Sequence, residues 1–293
     1  MLINSFIQML PILLIALGGY LTKSVFDVDS VPLAKVAADF FMPMLIFHSI
    51  YLSDLHGNLV LKISGAVIFI VALHIAIVYL YTSVNKIDFR DFLPATVFMN
   101  SGFLGIPLMS LWGGLAAVNI VIIYDQILTL LLMSVGLMII TGGFSTKSLT
   151  ELLKSPILWA VILGFVCKYL NIPIAEPILR TLEFGGNVVP PLATYLLGLS
   201  LAGRKVIINR HVFAAIILKL GVGFLLGLLA AYIFRLSGLS RTVVIVISSL
   251  PSAVFTSVLP LRYGIKAEYS GTIVMLTTIV SVVTIPIAFM LAG

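Results

Sequence analysis

Charged residues are scarce in this chain. Asp, Glu, Lys and Arg make up only 10% of its 293 residues, whereas hydrophobic residues make up 61%. Soluble domains carry about 25% charged and roughly 45–50% apolar residues, so a soluble globular protein is excluded. The net charge of +6 comes from 17 basic residues spread thinly between apolar runs. This spacing excludes a basic patch, and no nucleic-acid partner is expected.

Cysteine, histidine and enzyme motifs are also rare or missing. Cys167 is the single cysteine, so a disulfide framework is excluded, and the four scattered histidines lack metal-site spacing. We therefore expect neither metal nor cofactor. His-Glu-x-x-His, Gly-x-Ser-x-Gly and an Asp-rich pair for Mg²⁺-diphosphate are all missing. The sequence predicts a protein that is not an enzyme; an integral-membrane enzyme, a passive channel and a receptor are the alternatives.

Long uncharged runs fill the chain instead, most of them near the ~20 residues that cross a bilayer. We predict ten membrane spans, at residues 4–22, 31–52, 60–82, 92–112, 115–140, 155–171, 176–202, 212–235, 241–262 and 266–291. With the N-terminus outside, the cytoplasmic connectors hold eleven basic residues and the opposite side five. The positive-inside rule then predicts a multi-pass protein of the cell (inner) membrane with both termini outside.

The two halves of the chain share landmarks at nearly one offset. The Pro-Ile-Leu of residues 11–13 recurs at 156–158, and Pro107 corresponds to Pro251. Five spans per half is an odd number, so equivalent halves would insert with opposite orientations, as in many secondary transporters. The sequence predicts two inverted five-helix repeats, residues 1–143 and 155–293, joined by a connector at 144–154.

Span four carries an unusual polar group in its middle, formed by Asn100, Ser101, Gly102, Gly105 and Pro107. Proline lacks a backbone N–H and glycine lowers the cost of unwinding, so we expect the helix to break at this proline. Freed backbone groups are tolerated in a membrane only when buried in protein or facing a water-filled cavity. These residues are therefore predicted to bind substrate. A proline kink, with Asn100 bonding a neighbouring helix, is the alternative.

Span nine repeats this pattern with Ser249, Pro251, Ser252 and Thr256. Breaks at corresponding positions of two inverted halves would cross near the midplane. Half-helix N-termini there suit a carboxylate, and half-helix C-termini suit a cation. We assign these four residues to the same predicted site, although serine and threonine hydroxyls can instead bind carbonyls of their own helix.

Asp125 is the only acid deep inside a span. An ionisable residue within the membrane is a functional candidate by default, so Asp125, with its neighbour Tyr124, is predicted to couple or gate transport by binding H⁺ or Na⁺. The alternatives are a neutral carboxyl or an ion pair with Lys219 of span eight. Lys219 itself is expected to extend to the cytoplasmic interface. His74 is expected to be a hydrogen-bonded interior residue.

The segment Asn100-Ser101-Gly102-Phe103-Leu104-Gly105-Ile106-Pro107-Leu108 resembles the fourth helix of the auxin efflux carrier family. Residues 250–253 and 261–264 resemble the ninth helix of that family, and residues 277–286 resemble the tenth. The resemblance implies ten helices related to bile acid:sodium symporters, with helices four and nine crossing, elevator-like movement and a homodimer. Phe103 stands where the family has a second Asn. The short connector resembles prokaryotic members, which include carriers of malate-like and malonate-like dicarboxylates.

Together these features predict an all-α integral membrane protein that acts as a secondary transporter of a small organic anion, a carboxylate or dicarboxylate. The alternative is a Na⁺-coupled organic anion uptake symporter of the bile acid type. In that case unwound carbonyls, Asn100 and the span-nine hydroxyls would hold the cation.

Overall fold

The computed structural model describes residues 2–26, 28–53, 57–141, 153–203, 207–262 and 269–293, and every named element in this part of the chain is helical. The α-helices, in chain order, are α1 (Leu2–Phe26), α2 (Ser30–Val36), α3 (Met42–Tyr51), α4 (Gly57–Asn85), α5 (Phe89–Val97), α6 (Ile106–Leu131), α7 (Leu137–Thr141), α8 (Pro156–Tyr169), α9 (Glu176–Gly186), α10 (Val189–Leu201), α11 (Arg210–Ile216), α12 (Gly223–Ile233), α13 (Gly238–Ser248), α14 (Phe255–Arg262) and α15 (Ser270–Ala292). The described π-helical turns are Ala37–Phe41, Ser101–Gly105, Leu132–Gly136 and Ile217–Val222.

Within the described residues, each of the ten predicted spans is mostly helical. Five helical runs in the described residues are long and apolar enough to cross a membrane, namely Pro32–Tyr51, Gly57–Asn85, Ser101–Ile140, Arg210–Ile233 and Ser270–Ala292. Shorter apolar helices include Leu10–Phe26, Pro156–Tyr169 and Gly238–Ser248. The chain is therefore a multi-pass, all-helical membrane protein. The number of crossings and the inverted relation of the halves remain predictions.

Two boundaries differ in detail from the predicted spans. Spans four and five run together as one helical stretch, and Gly114, with φ 60° and ψ −155°, bends the chain between them in a conformation that favours glycine. Span seven is divided into α9 and α10, because Asn187 ends the first helix and Pro190 lies in the first turn of the second. Proline is well suited to that position because its missing N–H would have had no intrahelical partner.

The helices pack in two groups. The first, which we call the peripheral group, contains α1, α2, α3, α8, α9 and α10; α1 packs along α10, and α3 packs on α8 and α9. Gly198 permits the closest of these approaches, since a Cβ there would overlap the carbonyl oxygen of Ala16. The second, which we call the crossing group, contains α4 to α7 and α11 to α15. The groups meet where α10 packs on the Ser101–Gly105 turn and on α6, and where α1 packs on α15 and α6.

Some sequence features lie outside the described residues. These are residues 144–152 of the predicted connector with Lys147, the basic residues Arg204, Lys205 and Lys266 used for the orientation argument, and Tyr263 and Gly264 of the family-like segment.

Candidate functional site

The first break separates α5 from the turn that leads into α6. Helix α5 begins at an Asp88 cap, whose carboxylate accepts the Arg90 N–H at 3.0 Å, and ends at Val97. Residues 98–100 are not helical, and π-helical structure resumes at Ser101. The break therefore lies several residues before Pro107, and the prediction that it falls at this proline was wrong. Pro107 lies in the first turn of α6, where its missing N–H needs no partner.

The second break lies between α13 and α14, and Pro251 lies within it as predicted. The two breaks cross and pair through their backbones. The Asn100 N–H donates to the Pro251 carbonyl at 2.8 Å, and the Ala253 N–H donates to the Phe98 carbonyl at 3.0 Å. Because water is scarce in a bilayer core, unwound segments need such partners, and here each break supplies them to the other.

A cavity of about 570 Å³ lies against this crossing. Residues 98–103, 125–130 and 253–255 line it, and so do the charged residues Asp39 and Lys154. Among the predicted site residues, the cavity wall contains four, Asn100, Ser101, Gly102 and Asp125. The others do not line it, and they are Gly105, Pro107, Tyr124, Ser249, Pro251, Ser252 and Thr256. The wall is largely apolar and includes the stacked rings of Phe103 and Phe255, 6.2 Å apart.

Asp125 lies at the N-terminal end of the Ser101–Gly105 turn. The Ser101 hydroxyl donates to Asp125 Oδ1 at 2.6 Å, and the Gln126 side-chain amide donates to Oδ2 at 3.3 Å. Gly102 leaves room for the carboxylate, since a Cβ there would lie only 3.2 Å from Oδ1. Helix N-termini have unpaired N–H groups and a partial positive charge, so they stabilise a carboxylate in this position. The first break therefore holds an acid at its positive helix end.

Asn100 lies in the cavity wall and has a buried side-chain hydrogen-bond donor without a partner among the described residues. Its side chain is only 3% exposed, and the donor without a partner is Nδ2. Both backbone polar groups of Asn100 have partners. The carbonyl accepts the Gly105 N–H at 3.0 Å, and the N–H donates to the Pro251 carbonyl of the second break. A buried donor without a partner costs free energy, so an acceptor atom of a ligand would be stabilised here.

The hydroxyls of the second break bind their own helices. Ser249 Oγ donates to the Val246 carbonyl at 2.7 Å, and Thr256 Oγ1 donates to the Ala253 carbonyl at 2.6 Å. This is the alternative that the sequence left open for these residues.

Ser252, also in the second break, contacts Thr277 of α15. The Ser252 N–H donates to Thr277 Oγ1 at 3.2 Å, and the two hydroxyl oxygens also lie 3.2 Å apart. Sequence reasoning did not assign Thr277 to the site; its one signal was its position in the family-like segment of the last span. The contact anchors the second break to α15.

Tyr124 and Gly105 do not line the cavity, and both contact α13. Tyr124 is fully buried, and its hydroxyl lies 3.1 Å from Ser248 Oγ, at the end of α13. A Cβ on Gly105 would lie 2.9 Å from the Ile247 side chain, so glycine permits α6 to approach α13. Both residues thus join α6 to the second break, without lining the cavity.

Lys219 does not extend to the interface, and that prediction was wrong. Its side chain is fully buried, and Nζ donates to the Val97 carbonyl at 3.1 Å, at the C-terminal end of α5. Lys219 lies in the Ile217–Val222 turn, next to Leu218, whose carbonyl accepts from His74 Nε2 at 3.0 Å. His74 is therefore hydrogen-bonded in the interior, as predicted. Unpaired carbonyls with partial negative charge stabilise an ammonium at a helix end, which explains the inward position of Lys219.

Asp91 is a second buried charge that sequence reasoning missed. It is 3% exposed, and its carboxylate accepts the Tyr269 N–H at 2.6 Å and the Ser270 N–H at 3.1 Å. An acid on α5 thus caps α15. The sequence offers no signal for this contact, because the partners are 178 and 179 residues away.

Within the searched residues, no group of three or more His, Cys, Asp or Glu side chains is arranged to hold a metal ion. The charged groups at the crossing are instead single ions, each placed at one end of the first break.

Comparison with known proteins adds to this geometry. A family model described as membrane transport protein matches the chain twice, over residues 4–143 and 143–289. An uncharacterized transporter of Methanothermobacter thermautotrophicus is 30% identical over an alignment that covers 95% of each chain. The two family matches together span almost the entire sequence.

Proposed function

The chain belongs to the membrane transport protein family, the family of the auxin efflux carriers, and we propose that it is a secondary active transporter of a small organic anion. The substrate is a carboxylate or dicarboxylate, and it binds in the cavity at the crossed breaks. Transporter, rather than enzyme, is the class that the family match supports.

The unpaired Nδ2 of Asn100 is the observation that carries this proposal. Asn100 lines the same cavity as the start of the Ser101–Gly105 turn, where N–H groups and the helix dipole favour negative charge. A carboxylate bound here would accept a hydrogen bond from Asn100 and lie at the positive end of a helix. The apolar remainder of the wall would contact the carbon skeleton of the substrate.

Asp125 supplies the coupling. A substrate carboxylate and an ionised Asp125 at one helix end repel each other, and the repulsion is strong away from bulk water. A proton or Na⁺ bound at Asp125 removes this repulsion, so cation binding and anion binding favour each other. Ser101, Gly102 and Gln126 hold the carboxylate in place, and Tyr124 and Ser248 link its helix to the second break.

The movement is of the elevator type, with the crossing group sliding against the peripheral group. The contacts of α10 with the Ser101–Gly105 turn and α6 lie at the boundary between the groups, which is where such sliding would occur. We propose ten spans in two inverted repeats, residues 1–143 and 155–293, in a homodimer of the inner membrane with both termini outside. The paired breaks and the twofold family match support this arrangement.

A second candidate is a Na⁺-coupled uptake symporter of the bile acid type. Its support is that Asp39 and Asp125 both line the cavity, because two carboxylates favour a bound cation. Dependence of substrate uptake on Na⁺, measured against a choline or K⁺ medium at constant pH, separates this candidate from H⁺ coupling.

The experiment is counterflow in proteoliposomes loaded with unlabelled malate, malonate, citrate or an aromatic carboxylate. Labelled anion should accumulate with one of these partners. Asn100→Ala should lower affinity about 10- to 100-fold, since a hydrogen bond to a charged group contributes roughly 1.5–3 kcal/mol.

The matched control is Asn119→Ala, because Asn119 is also a buried asparagine but does not line the cavity. It should retain the affinity of the parent protein. Unchanged affinity in folded Asn100→Ala would contradict the proposed site, and counterflow with none of the anions would contradict the substrate class.

A further inference from the structure

Lys219 is a buried ammonium without a carboxylate partner. Its side chain is fully buried, and Nζ donates to the Val97 carbonyl, 3.1 Å away. Within the described residues, it forms no ion pair with Asp125 or any other acid. Buried lysines are rare unless they are paired, so the surroundings must favour the charge in another way.

Those surroundings are the C-terminal end of a half-helix. Val97 is the last residue of α5, where a helix leaves carbonyls without intrahelical partners and carries roughly half a negative elementary charge. Two other carbonyls at this end already have partners, because the Phe98 N–H donates to the Pro94 carbonyl and the Ala253 N–H donates to the Phe98 carbonyl. The Val97 carbonyl accepts from Lys219 Nζ. In transporters with broken helices, this type of carbonyl end binds a coupling cation.

His74 lies near Lys219 but does not accept a hydrogen bond from its ammonium. Its Nε2 lies 3.0 Å from the Leu218 carbonyl, and a carbonyl can only accept, so Nε2 carries the proton. The other nitrogen, Nδ1, is then a bare lone pair, and it has no partner among the described residues. The imidazole lies near Lys219, because it binds the preceding residue, Leu218. The acceptor that the ammonium does bind, the Val97 carbonyl, is neutral.

The acid closest to Lys219 along α5 is occupied elsewhere. Asp91 accepts the N–H groups of Tyr269 and Ser270 at the start of α15. The other helices packed on the Ile217–Val222 turn are α11, α12 and α15, and α12 and α15 contain no charged residue. The local field that favours a cation therefore comes from backbone carbonyls, which do not select a lysine over a dissolved cation.

We propose that the Lys219 ammonium fills, from within the chain, a monovalent-cation site at the C-terminal end of α5. The wild-type protein then needs no dissolved cation at this end of the first break. A variant that lacks the ammonium has an empty site, which takes up a small primary ammonium ion from solution. The inference rests on the proposed function only in treating the crossing as the transport site.

The test is chemical rescue of Lys219→Ala, read as the Tm of purified protein without substrate. The substitution removes three carbons and the nitrogen, so the probe is ethylammonium, which is one carbon shorter and leaves room for non-bonded contact. We expect Lys219→Ala to lower Tm by about 5 °C or more and ethylammonium to restore it saturably. Ethylammonium should change the Tm of the wild type no more than tetramethylammonium does at the same ionic strength.

Lys219→Met is the second variant, because it fills the same space without a charge. It should also lower Tm, and ethylammonium should not restore it, since no space is open. A wild-type Tm in Lys219→Met would overturn the proposal, because the ammonium would then be dispensable. Failure of ethylammonium to raise the Tm or the yield of Lys219→Ala would overturn it equally.

These outcomes are independent of counterflow. A rescued Tm with no anion transport would support the cation site and reject the proposed substrate class. Anion transport without rescue of the Tm would support the substrate class and reject the cation site.

Discussion

The two breaks that cross in this protein differ in what satisfies their helix ends. At the first break both ends meet a charged side chain, Lys219 at the end of α5 and Asp125 at the start of the next turn. At the second break the ends meet neutral hydroxyls, including Ser249 and Thr256. The two breaks are joined by the same pair of backbone hydrogen bonds, but the charges at their helix ends differ.

This difference separates two roles. A helix end held by an ion responds when a proton, cation or substrate binds, because the interaction energy changes with charge. A helix end held by a hydroxyl that binds its own backbone does not respond in this way. We therefore expect ion-linked transport to depend on the first break and the crossing geometry to depend on the second. Three sets of substitutions test this contrast, beyond those at Asn100 and Lys219.

The largest effect is expected at the charged break. Asp125→Asn should abolish accumulation driven by a pH or Na⁺ gradient and preserve exchange, because the amide can still bind Ser101 but cannot bind a proton. Uptake under imposed gradients, compared with counterflow, measures the two activities. For uptake driven by a pH gradient, Asp39→Asn is the control, since Asp39 lines the same cavity but is not held by Ser101. Gradient-driven uptake that survives in Asp125→Asn would remove the coupling role.

An intermediate effect, on stability alone, is expected behind the second break. A Cβ on Gly223 would lie 2.4 Å from the Ser248 carbonyl oxygen, so Gly223→Ala forces α12 away from α13 and should cost about 1–3 kcal/mol or more. Gly221 lies in the preceding π-helical turn, and a Cβ there would meet only Ile217, at 3.9 Å. Gly221→Ala should be neutral or stabilise the protein by up to about 1 kcal/mol. Equal Tm values for the two variants would contradict the packing argument.

The smallest effect is expected at the hydroxyls of the second break. Ser249→Ala and Thr256→Ala should each change substrate affinity less than about twofold, because each residue's own N–H donates to the same carbonyl at 3.1 Å and remains after substitution. Titration of substrate in the counterflow assay gives the affinities. A tenfold loss in either variant would show that these hydroxyls bind substrate, and the contrast between the breaks would fail.

Parts of this site could be read from the sequence. Asn100, Ser101 and Asp125 stood out because polar residues are costly in an apolar span, and all three lie at the cavity. The position of the first break could not be read from Pro107, because a proline also begins helices. Asp91 was missed and Lys219 was misread as an interface charge, since the groups that hold them lie more than a hundred residues away.

The sequence by itself determined the membrane environment, the helical runs and the two polar interruptions. These follow from properties of single residues. Apolar side chains favour transfer out of water, and proline and glycine weaken helices. Only the tertiary structure decided which charge meets which helix end. Backbone groups freed by a break must find partners wherever the fold supplies them, and a buried lysine, an aspartate and a second broken segment happen to supply them here.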